Sequence, residues 1–183
     1  MIKPINIWLK VMALALFFFS CDLEIPEESY NNPLDIEFNS ENGISPPALV
    51  FSPSEFTVDV GQSVSVNIFV LEVDSIAGTY IQVIYDQSLL SLNTVVLGEI
   101  LKSNQTPIFF YNDDSDQGTI DIYSSFLGNE VATSGTGSLA HLTFTTLSPG
   151  TSTLRFGNTS EIVDRNDNQI TLNGIGTGVV VAQ

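Results

Sequence analysis

Residues 78–92 read GTYIQVIYDQSLLSL. Tyr80, Gln82 and Ile84 alternate with Ile81 and Val83, then Asp86 interrupts and a second apolar segment begins. Period-two alternation sends successive side chains to opposite faces, so one face of this strand is buried and the other meets water or a partner. Some fifty residues later GTGSLAHLTF (135–144) repeats the pattern, setting Leu139, His141 and Thr143 against Ala140, Leu142 and Phe144. Ser63–Val70 follows the same rule, with Val64, Val66, Ile68 and Val70 on one side and Ser65, Asn67 and Phe69 on the other.

Working outward, strands are expected near 48–51, 56–60, 63–73, 79–86, 89–97, 107–112, 119–126, 137–146, 151–156 and 170–182, with a short one at 161–163. Each is bounded by Gly, Asn, Asp, Ser or Pro, the residues that close turns. No segment reads as a long amphipathic helix, and no internal repeat marks a propeller or solenoid. Short strands at this spacing over residues 48–183 imply one all-β sandwich with a single core.

The N-terminal twenty residues follow a different logic. Lys3 and Lys10 precede an apolar run, Val11–Phe19, and Ser20-Cys21 follows. That is the pattern of a secretory signal peptide, with an apolar part too short for a comfortable membrane span. Its end resembles a bacterial lipoprotein signal, which implies that Cys21 becomes the acylated N-terminus. Cys21 is the only cysteine, so an intramolecular disulfide is excluded. Residues 21–47 hold seven acidic residues, no basic ones and four prolines. They read as a flexible acidic tether with a reach on the order of 30 Å. The expected localisation is an exported lipoprotein, membrane-anchored only through its lipid and facing the cell surface or periplasm.

All 21 acidic residues lie beyond position 20, whereas two of the five basic ones lie before it. The processed chain therefore sets 21 acidic residues against 3 basic ones, a net charge of −18. Such a field disfavours nucleic acid and anionic lipid surfaces as partners. It also keeps an exported domain soluble.

Catalytic chemistry finds little support. Glu72, Asp74, Asp86 and Glu99 are carboxylates of the kind a glycosidase pairs, but no spacing singles out two of them. His141 is the only histidine, and no Gly-x-Ser-x-Gly elbow accompanies it. With no second histidine and no cysteine in residues 48–183, a zinc site lacks ligands. Calcium is the one candidate cofactor. Asn112, Asp114 and Asp116 place oxygens at alternate positions, as do Asp164, Asn166 and Asn168, although Asp and Asn at such places also serve turns. Tyr80, Tyr85, Phe109, Phe110, Tyr111, Tyr123 and Phe126 are candidates for sugar stacking or core packing. The sole tryptophan, Trp8, belongs to the leader.

Five stretches together resemble a cohesin domain: FTVDVGQSVSVNIFV (56–70), AGTYIQVIYDQSLLSL (77–92), GTIDIYSSF (118–126), GTGSLAHLTFTTLSPGTSTL (135–154) and GTGVVVAQ (176–183). Tyr85-Asp86 and the Gly-x-Gly-x-Leu-Ala-x-Leu-x-Phe run are the most specific pieces. The resemblance implies a nine-stranded jelly-roll β-sandwich related to carbohydrate-binding modules. It also implies a non-catalytic, surface-displayed module that captures a dockerin-like protein in a polysaccharide-degrading or cell-surface system. Direct polysaccharide binding, or adhesion without a dockerin, is the alternative. By the same resemblance the partner-binding face is Gly78, Tyr80, Gln82 and Ile84. Glycine and tyrosine stand there where the best-known members carry Asn and Asp.

Overall fold

The computed structural model describes Pro33 and residues 35–102, 105–128 and 131–183; the leader, Cys21 and the start of the expected tether lie outside these. Among the described residues, twelve strands follow one short helix. They are β1 (Ala48–Ser52), β2 (Glu55–Val58), β3 (Ser63–Ile76), β4 (Gly78–Ile84), β5 (Leu90–Leu97) and β6 (Ile108–Asp114). Then come β7 (Thr119–Ser125), β8 (Thr133–Thr146), β9 (Gly150–Phe156), β10 (Glu161–Val163), β11 (Gly174–Ile175) and β12 (Gly178–Ala182).

Two sheets result. One runs β11-β1-β3-β8-β5; the other runs β2-β12-β9-β4-β7-β6, with β10 added beside β4. Between them lie the apolar halves of the alternating strands: Val64, Val66, Ile68 and Val70 of β3, Ile81 and Val83 of β4, and Leu142 and Phe144 of β8, all buried. Phe51 and Phe156 stack across the gap at 4.1 Å. The all-β sandwich expected from the sequence is the fold observed.

The nine strands that the resemblance implied become twelve among the described residues. Residues 170–182, expected as one strand, are divided: β11 pairs with β1 in the first sheet, β12 with β2 and β9 in the second. The chain changes sheets at Gly176-Thr177. Glycine suits the crossing, because a Cβ on Gly176 would sit 3.1 Å from the Val50 side chain. β10 is a three-residue addition that covers the start of β4.

Part of the segment expected as a tether, 21–47, is structured. Ile36–Glu41 forms a helix, α1, whose N-cap Asp35 carboxylate accepts from the Phe38 N–H at 3.0 Å. Asn39 is buried and donates to the Pro33 carbonyl at 2.8 Å. Ile44 then packs with Phe69 against Ala48, Val50 and Leu71, a small second cluster on the outside of the first sheet. Polar composition hid this, since an Asp cap, one helical turn and a single isoleucine suffice.

Beyond β5, Gly98 is pressed against β8 and starts a 3-10 turn, Glu99–Lys102, that buries Leu101. A Cβ on Gly98 would lie 2.1 Å from the Ser138 carbonyl oxygen, a backbone atom held in the sheet. Gly98→Ala should therefore destabilise the domain by about 2–3 kcal/mol, the cost of overpacking where the neighbour cannot yield. Thermal unfolding of the variant beside Gly61→Ala, where a Cβ meets nothing within 4 Å, separates the clash from a general glycine effect; Gly61 itself has φ +86, so it reports backbone strain alone.

Candidate protein-binding face

The outer face of the second sheet is laid out by register. Tyr80 of β4 pairs with Tyr123 of β7, and Phe110 of β6 pairs with the same Tyr123. One step along, Gln82, Asp121 and Asn112 form the next row; one step further come Ile84, Thr119 and Asp114. Alternation turns Thr79, Ile81 and Val83 of β4, with Ile120, Ile122 and Ser124 of β7, toward the interior. The three rows accordingly face outward.

The first row is a ring stack. Tyr80 and Tyr123 centroids lie 4.9 Å apart at 21°, and Phe110 and Tyr123 lie 4.7 Å apart at 14°. These spacings equal the distance between neighbouring strands. Near-parallel rings can fit at that spacing only by standing up from the sheet, face against face. Their edges point to solvent. Each such pair stabilises by roughly 0.5–1.5 kcal/mol beyond area burial. Phe110 is the most open of the three, 55% exposed on an edge strand.

The second row is polar and tied to the first. Asp121 Oδ1 accepts from the Tyr80 hydroxyl at 2.8 Å and from Gln82 Nε2 at 2.9 Å. These bonds fix Tyr80 and Gln82 in single orientations. The Tyr80 hydroxyl is held above its ordinary range: a Thr159 hydrogen bond pulls it down, and burial with the Asp121 carboxylate outweighs that pull.

Of the face expected from the sequence, Tyr80, Gln82 and Ile84 lie on this surface, half-buried. Gly78 does not present itself there. It is buried beside β10, where a Cβ would meet the side chain of its paired residue Val163 at 3.1 Å. Asp121, Asn112 and the stacking of Phe110 on Tyr123 escaped the sequence reading as parts of one site. Reading β4 alone could not show that a carboxylate stands beside it on β7. The alternation of TIDIYSS (119–125) was the available signal, since it puts Asp121 and Tyr123 on one side.

The other candidates have local duties. Asn112 and Asp114 belong to β6 rather than to a loop, and Asp114 accepts from the Gln117 N–H at 3.2 Å to close the turn. Asp164 accepts from the Asn166 and Asn168 N–H groups at 2.7 and 3.0 Å, which holds its carboxyl below the usual range, the Asn168 bond contributing most. Among the described residues no three His, Cys, Asp or Glu side chains converge as a metal site. His141 contacts Asn67 through Nδ1 on the outside of the first sheet, and Glu99 pairs with Lys102 at 2.7 Å. Glu72 and Asp74 are exposed on β3, so these carboxylates do not gather in a cleft.

Tyr85-Asp86 turns out to be architectural. Tyr85 is buried, tilts against Phe144 at 5.3 Å, and donates to Asp113 at 3.1 Å. Asp86 accepts from the Ser88 N–H and hydroxyl at 2.9 and 2.6 Å, forming the turn into β5. Burial, reinforced by Asp113, pushes the Tyr85 hydroxyl up to about 12. The folded state thus resists its ionisation. Stability from neutral Tyr85 should be complete below pH 10 and be lost as pH rises from 10 toward 12. Tyr85→Phe should flatten that decline in denaturant midpoints measured between pH 9 and 12; an unchanged slope would contradict this assignment.

The family model for the cohesin domain matches residues 50–181. The chain belongs to the cohesin domain family. Cohesin domains are non-catalytic protein-binding modules. Solved structures agree with the fold. A non-cellulosomal cohesin from the hyperthermophilic archaeon Archaeoglobus fulgidus superposes with a TM-score of 0.62 at 17% identity, covering 74% of this chain and 90% of that one. The sixth cohesin of scaffoldin B from Acetivibrio cellulolyticus, solved with a dockerin, gives 0.64 at 19% identity, covering 74% and 98%. A type I cohesin–dockerin complex from Clostridium thermocellum gives 0.63 at 17%, also covering 74% and 98%. No curated protein sequence matches the chain significantly.

Proposed function

We propose that this cohesin domain is a surface-displayed capture module whose β9-β4-β7-β6 outer face seats a dockerin-like protein in a polysaccharide-degrading or cell-surface system. The observation that carries this is the Tyr80–Tyr123–Phe110 stack lying beside the Gln82–Asp121–Asn112 row. Aromatic anchors next to fixed polar groups are the composition of a protein-contact patch. Two of the similar cohesins were solved with a dockerin bound, which supports the same kind of partner here. Sugar stacking fits the patch less well, because Tyr123 is covered on both faces and Tyr80 and Phe110 are each covered on one.

Calorimetry of the full chain against dockerin modules tests this. Ile84→Asp, which sets a charge on the half-buried part of the face, should abolish capture without unfolding the domain. Capture unaffected by Ile84→Asp would place the binding surface elsewhere.

Display rests on the leader. Acylation of Cys21 would anchor the module and leave the following residues to project it from the membrane. Cys21→Ser should shift the protein from the membrane pellet to the soluble fraction; continued pelleting would remove the lipid anchor from the proposal.

A further inference from the structure

Charge is distributed unevenly over this face. Three basic residues follow the leader: Lys102, Arg155 and Arg165. Lys102 is paired with Glu99, and Arg165 has a partner of its own. Arg155 alone among the described Lys and Arg residues has a side chain with neither an ion pair nor a hydrogen bond to the described residues, in a chain with 21 acidic residues. Its place is set by register: Arg155 of β9 pairs with Ile84 of β4, so its side chain leaves the sheet on the same side as Tyr80 and Gln82. It is exposed there.

Arg155 borders a shallow concavity of about 480 Å³ lined also by Ile84, Tyr85, Asp86, Gln87, Thr151 and Thr153. Thr151 and Thr153 alternate outward on β9 with Arg155, and their hydroxyls have no partner among the described residues. Asp86 is the one carboxylate of the lining. Its Oδ1 accepts from the Ser88 hydroxyl and N–H, which hold it below the usual carboxylate range. The side-chain groups that β9 itself contributes are a guanidinium and two hydroxyls, none of them partnered among the described residues.

We propose that Arg155, flanked by Thr151 and Thr153, is a specificity-determining subsite for a carboxylate, an Asp or Glu side chain of the captured protein. A guanidinium offers paired N–H donors that match a carboxylate, and hydroxyls can add further bonds. The proposal deepens the capture function, since Arg155 lies on the face that function uses. It also divides that face electrically. Asp121 and Asp114 make the β7-β6 side acidic, whereas β9 carries the cation. A partner seated across both must present a carboxylate at β9, which fixes its orientation.

The test has two arms, both with the full chain. In the first, a blocked alanyl-glutamyl-alanine tripeptide is titrated while the arginine Nε–Hε signals are followed by NMR. The chain holds two arginines, so Arg155→Lys assigns the signal. A saturable shift of the Arg155 signal is expected, with a dissociation constant on the order of 1 mM for one charge-assisted contact. The glutamine tripeptide should leave it in place, and Thr151→Val with Thr153→Val should weaken the glutamate shift. In the second arm, dockerin affinity should fall roughly 30-fold in Arg155→Glu and less than about 5-fold in Arg155→Lys. Equal shifts with both tripeptides would overturn the subsite even if dockerins bind. A glutamate-specific shift sustains it even if no dockerin is captured, an outcome that would instead count against the capture reading.

Discussion

Phe144→Ala should lower the stability of the domain by about 3–5 kcal/mol, the largest effect expected of a single core substitution. Phe144 is fully buried, pairs across the first sheet with Val64 and Leu92, and meets Tyr85 from the opposite sheet at 5.3 Å. Removing its ring leaves a cavity at the place where both sheets converge. Neighbours on two paired strands cannot close in to fill it, so the lost contacts are not regained. Domains of this size are stable by roughly 5–15 kcal/mol, and the loss is a large share of that. Urea midpoints give the measurement. Thr143→Ala, on the outward side of the same strand, is the control and should change stability by less than about 0.5 kcal/mol. Similar losses from the two variants would mean that the core lies on the other face of β8.

The second large effect concerns binding. Tyr123→Ala should weaken capture of a dockerin-like partner by about 2–3 kcal/mol, roughly 30- to 150-fold. Tyr123 is the middle ring, so its loss removes one contact and leaves Tyr80 and Phe110 without the face that keeps each upright. Tyr80→Ala should cost less than Tyr123→Ala, because Tyr80 ends the stack. Its loss also frees Asp121 Oδ1 from one of its two donors. Tyr80→Phe then separates the two duties, keeping the ring while removing the hydroxyl. Isothermal titration with each variant reads this order. Affinity unchanged in Tyr123→Ala would show that the stack does not contact the partner.

Much of the fold was legible in the chain because burial imposes a period. The alternating sets Val64 to Val70, Ile81 with Val83, and Ala140 to Phe144 each proved to be the buried side of its strand. Leu139, expected on the outward side, is buried as well, at the bulge between β3 and β8. Where the period gave no constraint, the reading was less complete. α1 is a six-residue helix in an acidic segment, kept in place by a cap and by Asn39. The 170–182 segment was expected as one strand although Asn173, Gly174, Gly176 and Gly178 interrupt it, and a change of sheet divides it among those residues.

The site divides along the same line. Local alternation was sufficient to put Tyr80, Gln82 and Ile84 on one side of β4. It could not show Gly78 covered by β10, because the covering residues are some eighty positions away in the chain.

Composition and period-two alternation in 78–92 and 135–144 by themselves determined an acidic all-β sandwich with a half-exposed strand over 78–84. Tertiary structure alone decided what that strand presents. Hydrogen-bonded register set Tyr123 and Phe110 beside Tyr80, Asp121 beside Gln82, and Arg155 beside Ile84. The physical reason is that burial is a property of each strand by itself, whereas a binding face is made of neighbours, and neighbours are fixed only when the sheet forms.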